Sequence, residues 1–182
     1  MDNTTPLALG VLFLAFLLLW AIISISLLWT APAGAPWLPT SRKQVRRMLA
    51  LAGVQPGEVV YDLGSGDGRV LFIAAREFGA RAVGIELDPL RYLWTQVQIT
   101  LLGLRGQVRV IRGNFFTQDV SEADVVTAYL LPKTNIRLRR KLWGELRPGA
   151  RIVSNIFIFP GIVPAHIDKE AHLFLYKVET PG

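Results

Sequence analysis

The stretch from Glu58 to Gly68 constrains the fold of this 182-residue chain more than any other. The apolar, β-branched run Val59–Leu63 is typical of a strand buried in a parallel sheet. A helix is predicted to begin near Arg69. Three glycines lie between the two elements and allow a sharp turn and the close approach of a ligand: Gly64, Gly66 and Gly68. Since ligands bind at the carboxyl ends of strands in open α/β sheets, we expect Asp62 beside a ligand.

Acidic residues around this loop favour a cationic nucleoside over a dinucleotide. The dinucleotide fingerprint is G-x-G-x-x-G, whereas this loop is G-x-G-x-G with Asp62 two positions before the first glycine. A carboxylate there would repel a pyrophosphate but suits the ammonium and sulfonium groups of S-adenosylmethionine. Glu86 ends the next predicted strand, where a carboxylate accepts hydrogen bonds from ribose hydroxyls. An NAD-binding domain and a ligand-free turn are the alternatives.

A third predicted strand, Val108 to Ile111, leads into Asn114 and Phe115, whose amide and ring suit the edge and face of an adenine. From about Pro36 to about Pro160, the chain resembles the class I, seven-β-strand S-adenosylmethionine-dependent methyltransferases. This resemblance implies a Rossmann-like, doubly wound, mostly parallel α/β sheet. It also implies that nine residues bind the cofactor: Asp62, Gly64, Ser65, Gly66, Gly68, Glu86, Leu87, Asn114 and Phe115.

Flanking motifs narrow the resemblance to one membrane-anchored branch. The sequences P-W-L-P-T at 36–40 and G-I-E-L-D-P at 84–89 are similar to lysine methyltransferases that modify the ATP synthase c subunit and the adenine nucleotide carrier. The resemblance implies a lysine acceptor on a membrane protein. Tyr129 follows the fourth predicted strand and is our candidate catalytic residue, because an aromatic wall attracts an amine. A tyrosine that only packs at a strand end is the alternative.

The N-terminal residues form a long apolar run. No charged side chain lies between Leu7 and Trp29, which is long enough for a helix to cross a hydrocarbon core of about 30 Å. A signal peptide is the rival interpretation, but no basic residue precedes the run. The basic residues Arg42, Lys43, Arg46 and Arg47 follow it, so the positive-inside rule predicts a single-pass membrane protein whose C-terminal domain faces the cytoplasm.

Composition excludes several classes of site. The chain has no cysteine and two histidines without metal-ligand spacing, so we predict no metal. The formal charge of +6 gathers in two basic clusters, which suit solvated helix faces or contact with an anionic lipid bilayer. Nucleic acid is not expected as a partner, because the chain lacks the aromatic–basic interleaving of RNA-binding modules.

The remaining pattern predicts the other helices and the tail. After Pro89, helical spacing predicts an inward-facing stripe of Leu90, Leu93, Trp94, Val97 and Leu101. Another inward stripe is predicted at Ile136, Leu142, Trp143 and Leu146. A fifth strand is predicted from Arg151 to about Phe159. The short tail after it predicts a shortened C-terminal sheet edge with about six strands.

The predicted organisation has three parts: a transmembrane anchor at 1–31, a linker with a basic amphipathic helix at 32–57, and the methyltransferase domain at 58–182. The predicted function is methyl transfer to a lysine of a membrane protein. Methylation of a lipid or quinone-like molecule and a non-catalytic cofactor-binding scaffold are the alternatives.

Overall fold

We describe the fold from a computed structural model, which covers residues 8–18, 20–21 and 39–179. Residues 8–18 and 20–21 are helical, and the large apolar side chains among them are exposed. Among the described residues, no helix has both the length and the apolar character needed to cross a bilayer. The predicted single-pass membrane topology is therefore wrong, and the predicted orientation falls with it. The rest of the predicted span, residues 7, 19 and 22–29, lies outside the described residues.

Seven strands form one sheet in the order β3-β2-β1-β4-β5-β7-β6. The strands are β1 (Val59–Leu63), β2 (Arg81–Glu86), β3 (Val108–Arg112), β4 (Val125–Ala128), β5 (Arg151–Asn155), β6 (His166–Asp168) and β7 (Leu173–Lys177). Strands β1 to β5 are parallel, and β7 is antiparallel to both β5 and β6. The order reverses between β1 and β4, which is where ligands bind in sheets of this kind.

Four helices cover the two faces of the sheet. They are α1 (Arg42–Leu51), α2 (Arg69–Phe78), α3 (Pro89–Leu101) and α4 (Pro132–Glu145). Buried side chains of α1, α2 and α3 share one core cluster, whereas those of α4 belong to the cluster on the other face. The sheet therefore has both faces covered, as the mostly parallel α/β prediction requires.

Helix α1 packs its apolar face into this core. Its N-cap Ser41 accepts the Gln44 amide, and Val45, Met48 and Leu49 are buried. On the opposite side, Arg46 pairs with Glu77, and Arg47 pairs with Asp168 and Glu170. Two of the four basic residues for which we considered a solvated helix face or contact with lipid are thus paired with acids of the same domain.

The predicted inward stripe of α3 faces solvent. Leu90, Leu93, Trp94, Val97 and Leu101 are between 48% and 78% exposed. The buried face of the helix instead carries Thr95 and Ile99. In α4 the prediction fails at Ile136, which is 54% exposed, and holds at Leu142 and Leu146. Trp143 is partly buried against Phe159 and Tyr176.

The C-terminal edge differs from the prediction in two ways. The sheet has seven strands rather than about six, because β6 and β7 both form. Strand β5 ends at Asn155 rather than near Phe159, and residues 156–165 connect β5 to β6 through turns, without a helix. The C-terminal region is therefore shortened in the connection between β5 and β6, and both edge strands are present.

Candidate cofactor and acceptor site

The glycine loop joins β1 to α2 at the carboxyl edge of the sheet. Gly64, Gly66 and Gly68 have φ angles of +81°, +57° and +77°, a region that residues with a Cβ rarely occupy. The amides of Gly64 and Ser65 both donate to the Ile85 carbonyl, at 2.9 and 3.1 Å. This pair of bonds fixes the start of the loop to β2.

The position of Ser65 explains why residue 84, in β2, is a glycine. Its side chain is buried over Gly84 of β2, where a Cβ would lie 2.6 Å from the Ser65 Oγ. That Oγ has no hydrogen-bond partner among the described residues. Because the side chain lies against Gly84 and both backbone groups bond within the protein, to the Ile85 carbonyl and the Gly68 amide, Ser65 supports the loop from beneath.

Helix α3 holds the loop from the other side. Thr95 Oγ1 donates to the Gly66 carbonyl at 3.2 Å, and Gln98 Nε2 donates to the Asp67 carbonyl at 3.1 Å. A Cβ on Gly68 would lie 2.8 Å from Thr95 Cγ2, so the helix and the loop are in close contact. The sequence analysis missed Thr95 and Gln98, because polar residues between apolar ones suggested solvent.

Asp62 is a buried acid at the end of β1, with 7% of its surface exposed. Burial raises the pKa of its carboxyl to about 7, the Thr127 hydroxyl opposes that rise by donating at 2.7 Å, and the charges of Glu86 and Asp67 add to it. Among the described residues, no basic side chain contributes to the pKa shift of Asp62. A cationic ligand would supply the missing counter-charge.

Glu86 organises the backbone around the loop. Its Oε2 accepts the Gly66 amide at 2.7 Å and its Oε1 accepts the Asp88 amide at 2.8 Å. A carboxylate oxygen can accept two hydrogen bonds, so each retains capacity for a ribose hydroxyl. Leu87 is half-buried beside it.

The turn after β3 reaches the same edge. The Gly113 amide donates to the Glu86 carbonyl at 2.9 Å, which brings Asn114 and Phe115 towards the end of β2. Asn114 is exposed and its Oδ1 accepts the Phe116 amide at 3.0 Å. Phe115 is half-buried, with its ring centroid 4.7 Å from that of Phe116. The structure thus gathers the predicted cofactor residues along the carboxyl ends of β1, β2 and β3.

An aromatic pair lies at the carboxyl ends of β4 and β5. Tyr129 is half-buried, and its ring stacks on Phe157 with centroids 6.4 Å apart and planes 25° apart. Phe157 belongs to the apolar run that we had assigned to the fifth strand, so the sequence analysis missed it. The signal available was Ser154-Asn155, two polar residues that break the run where the strand ends.

The turn that carries Phe157 is strained. Ile156 has a φ of +67°, which is an outlier for a β-branched residue. The Phe157 amide donates to the Asn155 carbonyl at 2.8 Å and closes a three-residue γ-turn around Ile156. Strained backbone of this kind persists where surrounding contacts enforce it, often at binding sites.

Two buried polar side chains enforce this turn. Ser154 Oγ donates to the Phe157 carbonyl, and Asn135 Nδ2 donates to the carbonyls of Phe157 and Ile158 at 3.2 and 3.1 Å. Asn135 is fully buried, and its Oδ1 has no partner among the described residues. Neither residue was a predicted site residue, and a single polar position in a helix gives little signal.

Asn155 and Thr40 connect helix α1 to this region. Asn155 Oδ1 accepts from Gln44 at 3.0 Å, so the buried amide is satisfied at the strand end. The Thr40 carbonyl accepts from Arg69, which also pairs with Asp67 of the glycine loop. Within the described part of the chain, no group of three or more histidines or acids is arranged to hold a metal ion.

Comparisons with known proteins place these features in a family. The sequence model described as the ANTKMT methyltransferase domain matches residues 62–166. A protein-lysine N-methyltransferase of Saccharolobus islandicus is 44% identical over 135 residues, covering 74% of this chain and 84% of the relative. A Xenopus laevis lysine N-methyltransferase named for the c subunit of ATP synthase is 33% identical over 135 residues, covering 74% of this chain but only 59% of the relative.

A solved structure gives the same fold with a ligand bound. It is described as an RNA methyltransferase from Salinibacter ruber in complex with S-adenosyl-L-homocysteine, and it is 40% identical with a TM-score of 0.76. The alignment covers 79% of this chain and 95% of that one. S-adenosylhomocysteine is what S-adenosylmethionine becomes after losing its methyl group.

Proposed function

Since this chain belongs to the ANTKMT methyltransferase domain family and is an S-adenosylmethionine-dependent methyltransferase, we propose that it methylates the ε-amine of a protein lysine. The cofactor supplies an electrophilic methyl group bound to a sulfonium. The amine nitrogen bonds to that methyl carbon as the carbon–sulfur bond breaks, and the amine's proton leaves to solvent.

The cofactor fits the charges of the site. We assign the ammonium group to Asp62, whose buried carboxylate lacks a counter-charge, and the ribose hydroxyls to Glu86, whose oxygens each keep capacity for another hydrogen bond. The glycine loop offers backbone without side chains at its most exposed position, Gly64. Asn114 and Phe115 are assigned to the adenine.

The observation that carries the lysine proposal is the stacked pair Tyr129–Phe157 beside the switch point of the sheet. Aromatic faces attract a cationic amine, and flank an alkyl chain equally well. Methyl transfer to an amine requires alignment and loss of one proton, and little further acid–base chemistry. The stacked rings can provide that alignment, because Ser154 and Asn135 hold the backbone of Phe157 in place.

The surroundings of the aromatic pair suit an apolar protein segment. Leu131, Ile156 and Ile158 lie within two residues of Tyr129 or Phe157 and are 38%, 45% and 50% exposed. An acceptor lysine flanked by apolar residues would bury these side chains as it binds. This supports a membrane protein as the substrate, and the ATP synthase subunit for which the Xenopus relative is named is a protein of that kind.

RNA methylation is the second candidate, because the similar Salinibacter structure is described as an RNA methyltransferase. The exposed basic residues of α4, Lys133, Arg137 and Arg140, could contact phosphates. However, the Arg137 guanidinium already lies over the Phe116 ring, 4.4 Å from its centroid. The covered ring is therefore less able to stack on an RNA base than an uncovered one.

One experiment separates the candidates. Native membranes and total RNA are incubated with the purified protein and methyl-labelled S-adenosylmethionine, and label is counted in protein, lipid and RNA. The proposal expects label in protein, recovered as methyl-lysine after acid hydrolysis. Label in lipid or in RNA alone would replace the proposed acceptor, and no label with cofactor bound would favour a scaffold.

Matched variants test the aromatic pair. Phe157→Leu removes a ring but keeps apolar volume, and should lower lysine methylation about tenfold or more while cofactor affinity by calorimetry stays unchanged. Phe78→Leu is the control, because Phe78 is also half-buried but lies at the end of α2. Equal activity in both variants, or loss of cofactor binding in Phe157→Leu, would remove Phe157 from the acceptor site.

A further inference from the structure

The outer face of α3 is an apolar surface without a described partner. Leu90, Leu93, Trp94, Val97 and Leu101 recur at helical spacing, and each is at least 48% exposed. These five side chains, which we call the α3 stripe, lie opposite the face that holds the glycine loop through Thr95 and Gln98. Continuous apolar patches of this kind mark interaction surfaces.

The charged side chains of α3 and of its connection to β3 are all basic, and one of them, Arg91, is paired with the N-cap residue Asp88. From Pro89 to Arg112 the sequence contains four arginines and no acidic residue. Arg105 donates to Thr100 Oγ1 at the C-terminal end of the helix, so its guanidinium lies next to the stripe. An apolar helix face without acids and with arginines beside it suits an anionic partner that also has an apolar interior.

Further basic side chains line a cavity beyond the end of the helix. It has a volume of about 250 Å³ and lies at the start of β2 and β3, at the end of the sheet opposite the glycine loop. Three arginines, Arg81, Arg105 and Arg109, line it together with Glu122. Arg109 also lies 3.8 Å from Glu122 and donates to the Tyr61 hydroxyl. Arg105 therefore borders both the stripe and a cationic cavity sized for a phosphate group.

We propose that the α3 stripe and this arginine cavity together dock the enzyme on an anionic lipid bilayer. The aliphatic side chains and Trp94 enter the boundary between headgroups and acyl chains, and the arginines bind lipid phosphates. The contact is made by one face of a surface helix. It goes beyond the proposed function, because it concerns where the enzyme works and holds whichever acceptor is methylated.

This docking would act on the catalytic edge directly. Helix α3 begins three residues after Glu86, and its inner face bonds to the carbonyls of the glycine loop. Contact with a bilayer would therefore order the same helix that holds the loop. A substrate embedded in that bilayer would also meet the enzyme at raised effective concentration.

The absence of native cysteine makes a local test possible. Val97→Cys places an environment-sensitive dye on the stripe of the full chain, and Lys169→Cys places it on an exposed position at the far edge of the sheet. With phosphatidylglycerol vesicles carrying nitroxide-labelled acyl chains, the dye at 97 should shift to the blue and be quenched. The dye at 169 should do neither.

Several results would overturn the proposal. A dye at 97 that stays in water with these vesicles would do so, even if the chain adsorbs through its N-terminal helix. A blue shift without vesicles would assign the stripe to a second copy or to that N-terminal helix. A response to RNA alone would assign it to nucleic acid.

Arg105→Gln tests the cavity. It should weaken adsorption to phosphatidylglycerol vesicles about fivefold, the effect of one basic residue near an anionic surface. Lys169→Gln removes the same charge at the far edge and should have less effect. Equal effects would mean that net charge alone drives adsorption and would overturn the role of the cavity. Dye response without any lysine methylation would count against the proposed function and leave this inference standing.

Discussion

The fold changes the ionisation of Asp62 strongly. Its pKa rises from the ordinary 3.8 to about 7, because burial disfavours the carboxylate. Between these values the folded protein holds a proton that the unfolded chain has released. The free energy of unfolding should therefore fall as pH rises through this window, by up to about 1.4 kcal/mol per pH unit, and level off above it.

Asp62→Asn should remove this contribution, because the amide does not titrate. The measurement is urea unfolding of both proteins, without cofactor, between about pH 5 and pH 8. Asp67→Asn is the control. Partial burial raises the pKa of Asp67, but the Arg69 contacts outweigh it and hold that pKa below its ordinary 3.8, so the Asp67 contribution is constant across this window and is lost only at lower pH. The decline with pH should therefore persist in Asp67→Asn. The same decline with pH in Asp62→Asn would contradict the assignment.

At position 156, a glycine variant should be more stable than an alanine variant, which is the reverse of the usual order. Alanine is usually more stable than glycine, but at a φ of +67° glycine avoids strain of about 1 kcal/mol or more. Ile156→Gly should therefore unfold at higher urea than Ile156→Ala, and both should methylate more slowly because Phe157 is less fixed. The exposed neighbour Ile158, which has no positive φ, should give the usual order. Alanine above glycine at 156 would show that the turn carries no strain.

Individual residues were predictable from the sequence where a single chemical reason fixed them. Asp62 and Glu86 follow strands and precede turns, so their places at the carboxyl edge followed from the sheet. Phe157 did not, because Ile156-Phe157-Ile158-Phe159 continues a strand-like apolar run. The run is held as a loop by Ser154, three residues before Phe157, and by Asn135 and His172 from elsewhere in the fold.

At the scale of elements, α3 shows why helical periodicity identified the helix but misassigned its faces. Helical spacing shows that the apolar residues share one face of the helix, but it does not show whether that face is buried. We assumed that the apolar face was the buried one. The inner face must instead bond to two loop carbonyls and lie close to Gly68, so it carries threonine and glutamine. The polar side of this helix is internal because the glycine loop needs donors there.

Thr95→Val tests that role of α3. Valine keeps the shape but leaves the buried Gly66 carbonyl without its donor, which should cost about 1 kcal/mol of unfolding free energy. Cofactor affinity by calorimetry should fall several-fold, since the loop is less ordered. Thr100→Val on the exposed side of the same helix is the control and should change stability by less than about 0.5 kcal/mol. Equal losses would mean that helix propensity alone was altered.

For the whole molecule, the sequence predicted the parallel half of the sheet better than its C-terminal edge. Twenty-odd residues after the fifth strand left too little room for a helix and two strands, so one strand was omitted from the prediction. The chain keeps both strands and replaces the helix with turns. The β7 pairing with β5 supplies backbone partners to Ile152 and Val153, which are fully buried and have no access to water.

The two ends of the domain are joined through α1, and this makes the predicted boundary at residue 58 testable. Gln44 donates to the Ala171 carbonyl at 2.7 Å, and Arg47 pairs with Asp168 in the β6–β7 region. Val45, Met48 and Leu49 are at most 3% exposed, and burying each such side chain contributes roughly 1.5–3 kcal/mol. Their combined loss would approach the whole stability of a typical domain, about 5–15 kcal/mol.

Deleting residues 1–38 should therefore leave cooperative thermal unfolding and S-adenosylhomocysteine binding intact, whereas deleting residues 1–57 should abolish both. If the shorter chain, 58–182, unfolds cooperatively and binds, α1 is an accessory and the boundary at 58 stands.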